Sequence, residues 1–85
     1  MKPPFRVELT DLAREKLRTH DPQVRDRIVR KLKQAAEDPS RFLQKLSSVE
    51  SYKLRVGDYR VIIDVDWDRR VLFVLTLGHR SVIYG

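Results

Sequence analysis

The chain has no cysteine and no asparagine, only three glycines in 85 residues, and a single tryptophan. Without cysteine there is neither a disulfide framework nor a thiolate metal site, so the core stands on packing alone and a reducing compartment is compatible. Glycines isolated at 57, 78 and 85 make no phosphate-cradling loop. Long apolar runs are missing too: the longest, Val71 to Leu77, is interrupted by Thr76 and falls far short of the roughly 20 residues of a membrane span. The opening MKPPFRVEL lacks the apolar stretch of a signal peptide, so the expectation is a cytoplasmic protein with no membrane partner. No His, Asp and Glu fall at metal-ligand spacings, and Ser40, Ser47, Ser48, Ser51 and Ser81 lack the surroundings of a nucleophile elbow. Metal chemistry and acyl transfer are thereby disfavoured, and neither metal nor cofactor is expected.

What is abundant is positive charge. Eighteen basic side chains stand against 12 acidic ones, giving +6, and 12 of the 18 are arginine. A polyanion, an anionic lipid surface and an acidic protein partner are all admissible for such a chain. Its length fits one domain over 1–85, since a chain this short has no apolar material for a second core.

Phe5, Val7 and Leu9 alternate with Arg6 and Glu8, the pattern of a half-buried strand, and Thr10 is placed to cap a following helix. Leu9, Leu12, Ala13 and Leu17 fall at helical spacings through that helix, DLAREKLR. Asp21 then caps and Pro22 opens a second helix, whose stripe Val24, Ile28, Leu32 and Ala35 ends before Asp38-Pro39. Residues 39–51 read as a linker tacked to the core by Phe42, Leu43 and Leu46. Beyond it the period changes to two, with strands at 52–56, 59–66 and 71–77 and a turn around Trp67-Asp68-Arg69. The expected fold is α+β with order β-α-α-β-β-β: a two-helix hairpin on one face of a four-stranded, mainly antiparallel sheet.

If Gly57-Asp58 is a two-residue hairpin turn, Val56 faces Tyr59, Arg55 faces Arg60, Leu54 faces Val61 and Lys53 faces Ile62. Leu54 and Val61 then take the helix side, and Lys53, Arg55 and Arg60 crowd the other. Like charges directly opposite are destabilising. Either Asp58, Asp64 or Asp66 neutralises them as ordinary surface pairs, or an anion binds there. The last strand runs out into a second polar group, Gly78-His79-Arg80-Ser81, with Tyr84 near the end.

The stretches YKLRVGDYRVI at 52–62 and LGHRSVIY at 77–84 resemble the two signature stretches of the RelE branch of the RelE/ParE toxin superfamily, the toxins of toxin-antitoxin pairs. The resemblance runs through nearly the whole chain. It implies a ribosome-dependent endoribonuclease that cuts messenger RNA in the A site without a metal, the RNA's own 2′-hydroxyl attacking the adjacent phosphate. It further implies a cognate RelB-like antitoxin and a toxin-antitoxin hetero-oligomer. Carried over residue by residue, Lys53, Arg55, Arg60 and Arg80 match the RNA-binding and phosphate-clamping positions, and Tyr84 matches the C-terminal tyrosine that resembles the general base. His79 stands where other members have lysine, and an imidazole is able to share acid or base work with Tyr84. Two alternatives remain: a ParE-like inhibitor of DNA gyrase, from a branch that generally lacks this Lys, Arg and Tyr set, and a non-catalytic RNA- or protein-binding module.

Overall fold

A computed structural model describes residues 2–47 and 50–83. Strand β1 (Arg6–Leu9) leads into helix α1 (Asp11–Thr19), and helix α2 (Pro22–Glu37) is followed by the single turn α3 (Pro39–Phe42). Strands β2 (Gln44–Lys45), β3 (Tyr52–Val56), β4 (Tyr59–Asp66) and β5 (Val71–His79) complete a sheet in the order β1-β5-β4-β3-β2. β1 runs parallel to β5 and every other pair is antiparallel. The α+β fold is as expected. The sheet has five strands instead of four, because the segment expected to be a plain linker forms α3 and then pairs Gln44 with Lys53 and Lys45 with Tyr52.

Both helix starts follow from their caps. The Thr10 hydroxyl accepts the Ala13 N–H at 3.1 Å, and the Asp21 carboxylate accepts the Gln23 N–H at 2.9 Å with Pro22 opening the helix. On α2 the apolar stripe lies inward: Ile28, Leu32 and Ala35 are buried and Val24 is partly so. On α1 the expectation fails at Leu12, which is 55% exposed, while Ala13 is fully buried and Leu17 packs on the core. A short helix against a twisted sheet covers only a narrow stripe, and Leu12 falls outside it.

The sheet side of the core is made of Leu54, Val56, Val61, Ile63, Leu72, Val74 and Leu77. These residues keep strict alternation within β3 and β4 but not within β5. The ladder pairs Ile62 with Thr76 and Ile63 with Val74, so Leu75 is an extra residue, a β-bulge. Leu72 and Val74 face the helices on one side of it and Leu77 on the other. The carbonyl of Leu75 accepts the Thr10 hydroxyl at 2.8 Å, so one side chain both caps α1 and satisfies the bulge. Thr10→Ala removes both bonds and is expected to cost about 1–3 kcal/mol, read as a lowered urea midpoint.

Candidate active site on the open face of the sheet

The hairpin register is the one expected. Val56 pairs with Tyr59, Arg55 with Arg60, Leu54 with Val61 and Lys53 with Ile62. Gly57 has φ +59°, the left-handed conformation that the tight turn requires and that glycine adopts without strain. Helices cover the face bearing Leu54 and Val61, so Lys53, Arg55 and Arg60 stand on the open one. Across β4 the row continues from Arg60 to Gly78, and the neighbouring row from Lys53 through Ile62 to Thr76.

The carboxylates that were candidates to neutralise the arginines do not reach Arg55 or Arg60. Asp64 accepts the Ser51 hydroxyl at 2.6 Å, and Asp66 accepts the Arg69 backbone N–H at 3.0 Å. Both lie toward the far end of the sheet, beside Phe73 and Trp67. Among the described residues the side chains of Arg55 and Arg60 make no hydrogen bond or ion pair. The open face is thus polarised, basic at the hairpin and acidic beyond Ile63.

Arg80 closes the basic end. Its backbone N–H donates to the Asp58 carbonyl at 2.8 Å, strapping the end of β5 to the hairpin turn. Its guanidinium Nε lies 3.9 Å from the Asp58 carboxylate, but the two side chains are 58% and 67% exposed. A pair so long and so wet contributes about 0–1 kcal/mol and is readily given up to a ligand anion. Past Arg80 the chain turns back, with the Val82 and Ile83 N–H groups donating to the His79 carbonyl. Ile83 settles over Gly78, where a Cβ would come within 2.9 Å of its Cγ1. Gly78 is therefore the seat that lets the returning chain lie against the row of Arg55 and Arg60.

His79 is not part of that row. β5 extends two residues past Leu77, and the bulge at Leu75 inverts the alternation, so His79 pairs with Tyr59 on the helix side. Its ring stands edge-on to Tyr59 at 5.5 Å, and Tyr59 in turn stands edge-on to His20 at 5.5 Å. Ser81 donates its backbone N–H to His79 Nδ1 at 3.1 Å. The structure thus separates His79 from Arg55 and Arg60, and gives His20, which carries no apparent role in the sequence, a packing role under Tyr59. Tyr84 lies outside the described residues. Thr76, two residues before Gly78, was not expected at the site. Its buried hydroxyl makes no hydrogen bond among the described residues, and no spacing signal marks it.

The chain is similar to known proteins of one kind. The family model of the ParE toxin of type II toxin-antitoxin systems, parDE, matches residues 7–84. Among solved structures, the chain is similar to one in the toxin-antitoxin complex RelBE2 from Mycobacterium tuberculosis, with a TM-score of 0.85 at 23% identity over 92% of this chain and 100% of that one. It is also similar to a chain of the archaeal RelE-RelB complex from Pyrococcus horikoshii, with a TM-score of 0.78 at 25% identity over 95% and 100%. For the intact Escherichia coli RelBE complex the values are 0.75 and 26%, over 88% and 95%. No curated protein sequence matches the chain. With nearly its whole length matched by the family model and its fold shared with RelE structures, the chain belongs to the RelE/ParE superfamily, as a toxin of a type II toxin-antitoxin system.

Proposed function

We propose that this toxin is a metal-independent endoribonuclease that cuts messenger RNA on the ribosome. The observation that carries the reading is the in-register pair Arg55 and Arg60, on the uncovered face and without a carboxylate partner among the described residues. Such a pair costs stability unless an anion is to be held there. In the reaction the 2′-oxygen of the RNA bonds to the adjacent phosphorus while the bond from phosphorus to the 5′-oxygen breaks. The 2′-hydroxyl proton passes to a base, and the leaving 5′-oxygen takes up a proton, giving a 2′,3′-cyclic phosphate and a 5′-hydroxyl. The phosphorane on the way carries extra negative charge. Arg55, Arg60 and Arg80 are the groups that hold it, since guanidinium forks match phosphate oxygens two at a time.

Lys53, one row along, assists the 2′-hydroxyl or the base. Tyr84 is our choice of base; a free tyrosine titrates near 10 and needs such a cation beside it to act at neutral pH. His79 faces the other way and is left to order the turn before Tyr84. The partner we propose is an acidic, RelB-like antitoxin that covers the basic face in a hetero-oligomer, as the relatives named for RelBE complexes suggest.

A second reading is favoured by the name of the matched family: a ParE-like toxin that acts on DNA gyrase and leaves RNA intact. Mapping the message on programmed ribosomes, with and without the toxin, separates the two. Codon-phased cuts ending in a cyclic phosphate support the nuclease, and gyrase-dependent DNA damage with intact messages supports the second. Gly78→Ala supplies an independent check. Displacing Ile83 is expected to slow cleavage about 10-fold to 100-fold by misplacing the following residue, with the melting temperature nearly unchanged.

A further inference from the structure

A second concentration of cations lies beside the open face and is not used by the reaction. Arg27, Arg30, Lys31 and Gln34 of α2 occupy one face of the helix, at spacings of three and four. With Arg55 and Val56 of β3 they line a cleft of about 290 Å³, closed by Gly57. Among the described residues no carboxylate lines it. Arg27, Arg30 and Arg55 make no ion pair among the described residues, and Lys31 rests over the ring of Phe42 at 4.9 Å. The turn is shaped to admit Arg27: a Cβ on Gly57 would lie 2.5 Å from its guanidinium. Four like charges around one cleft repel each other until an anion enters.

The kind of anion follows from the lining and from the sheet edge. Among the described residues Val56 is the single apolar side chain in the cleft and is 6% exposed, so an amphipathic peptide finds no apolar floor in them. A phosphodiester needs none, and takes guanidinium forks directly. Among the described residues β2 pairs with β3 only at Lys53 and Tyr52, and no strand pairs with the outer edge of β3 at Arg55. A strand of RNA is free to pass round that edge, from the row of Arg60 and Arg55 into the cleft.

We propose that this cleft is a second phosphate site, holding a backbone phosphate of single-stranded RNA away from the scissile one, with Arg27 and Arg30 as its ligands and Arg55 shared. The proposal rests on the open face being the RNA surface, but its test does not require cleavage. The probe is a short 2′-O-methyl RNA, which cannot be cut, and the readout is its affinity for the full chain by fluorescence anisotropy across a range of salt. Arg27→Ala/Arg30→Ala is expected to weaken binding and to lower the slope of log affinity against log salt by about 0.7, the value for one phosphate contact on a single strand. Arg30→Glu, which leaves the Arg27 seat on Gly57 untouched, is expected to weaken it as well. Arg14→Ala/Arg18→Ala removes the same charge from α1 and is expected to leave the slope within error. An unchanged slope in the cleft variants, an equal fall in the α1 control, or no RNA binding by the parent protein overturns the proposal. So does a loss confined to binding of a glutamate-rich peptide. If the slope falls as expected while ribosomal messages stay intact, the site stands and the nuclease reading falls; cuts with an unchanged slope give the converse.

Discussion

Arg60→Ala is expected to slow message cleavage on programmed ribosomes by about 10²–10³-fold, the usual loss when one donor to a developing oxyanion is removed. Arg60 sits on β4, an interior strand, half-buried, with Arg55 on one side and the side-chain-free Gly78 on the other. Strands on both sides hold its backbone in place. Its loss also relieves repulsion from Arg55, so stability is expected to hold or to rise by about 0.2–1 kcal/mol. The two measurements therefore move in different directions, and a merely structural role for Arg60 predicts the opposite pattern. Arg60→Lys, which keeps charge but not the planar fork, is expected to recover part of the rate. Undiminished cutting by Arg60→Ala would remove the physical basis of the nuclease reading.

Leu72→Ala is expected to be the most damaging single truncation, at about 3–5 kcal/mol. Leu72 is fully buried on β5, the strand that pairs with both β1 and β4, so the cavity opens on an interior strand beneath the helices. A domain of this kind has roughly 5–15 kcal/mol in all, and the variant is expected to lose much of its urea midpoint with little change of slope. Leu12→Ala removes the same atoms from a residue 55% exposed and is expected to cost less than about 0.5 kcal/mol. Comparable losses at both positions would mean that the inward faces of α1 and β5 are wrongly assigned.

The features that were legible beforehand share a property: each is set by residues close together in the chain. Thr10, Asp21 and Pro22 mark helix starts through bonds spanning two or three residues. Gly57-Asp58 sets the register of β3 on β4, and with it the meeting of Arg55 and Arg60. The misplaced features depend on distant partners. Leu12 satisfies the helical period as well as Leu17 does, and only the width of the sheet beneath α1 leaves it in solvent. Gln44 and Lys45 carry no strand signal of their own and become β2 because Tyr52 and Lys53 offer a free edge.

His79 shows the division most clearly. Alternation from the inward Leu72 and Val74 carries position 79 to the open face with the arginines, but the bulge at Leu75 turns it to Tyr59. The sequence by itself determined the type of β1, α1, α2, β3, β4 and β5, the hairpin register and the identity of the basic groups, because helical and strand periods and turn chemistry act over a few residues. Only the tertiary structure decided that His79 leaves the face of the arginines, which arginines have no carboxylate partner among the described residues, and that α2 brings Arg27 against Gly57. Those outcomes depend on where strands far apart in the chain pair and slip, and a one-residue slip exchanges the two faces of a sheet.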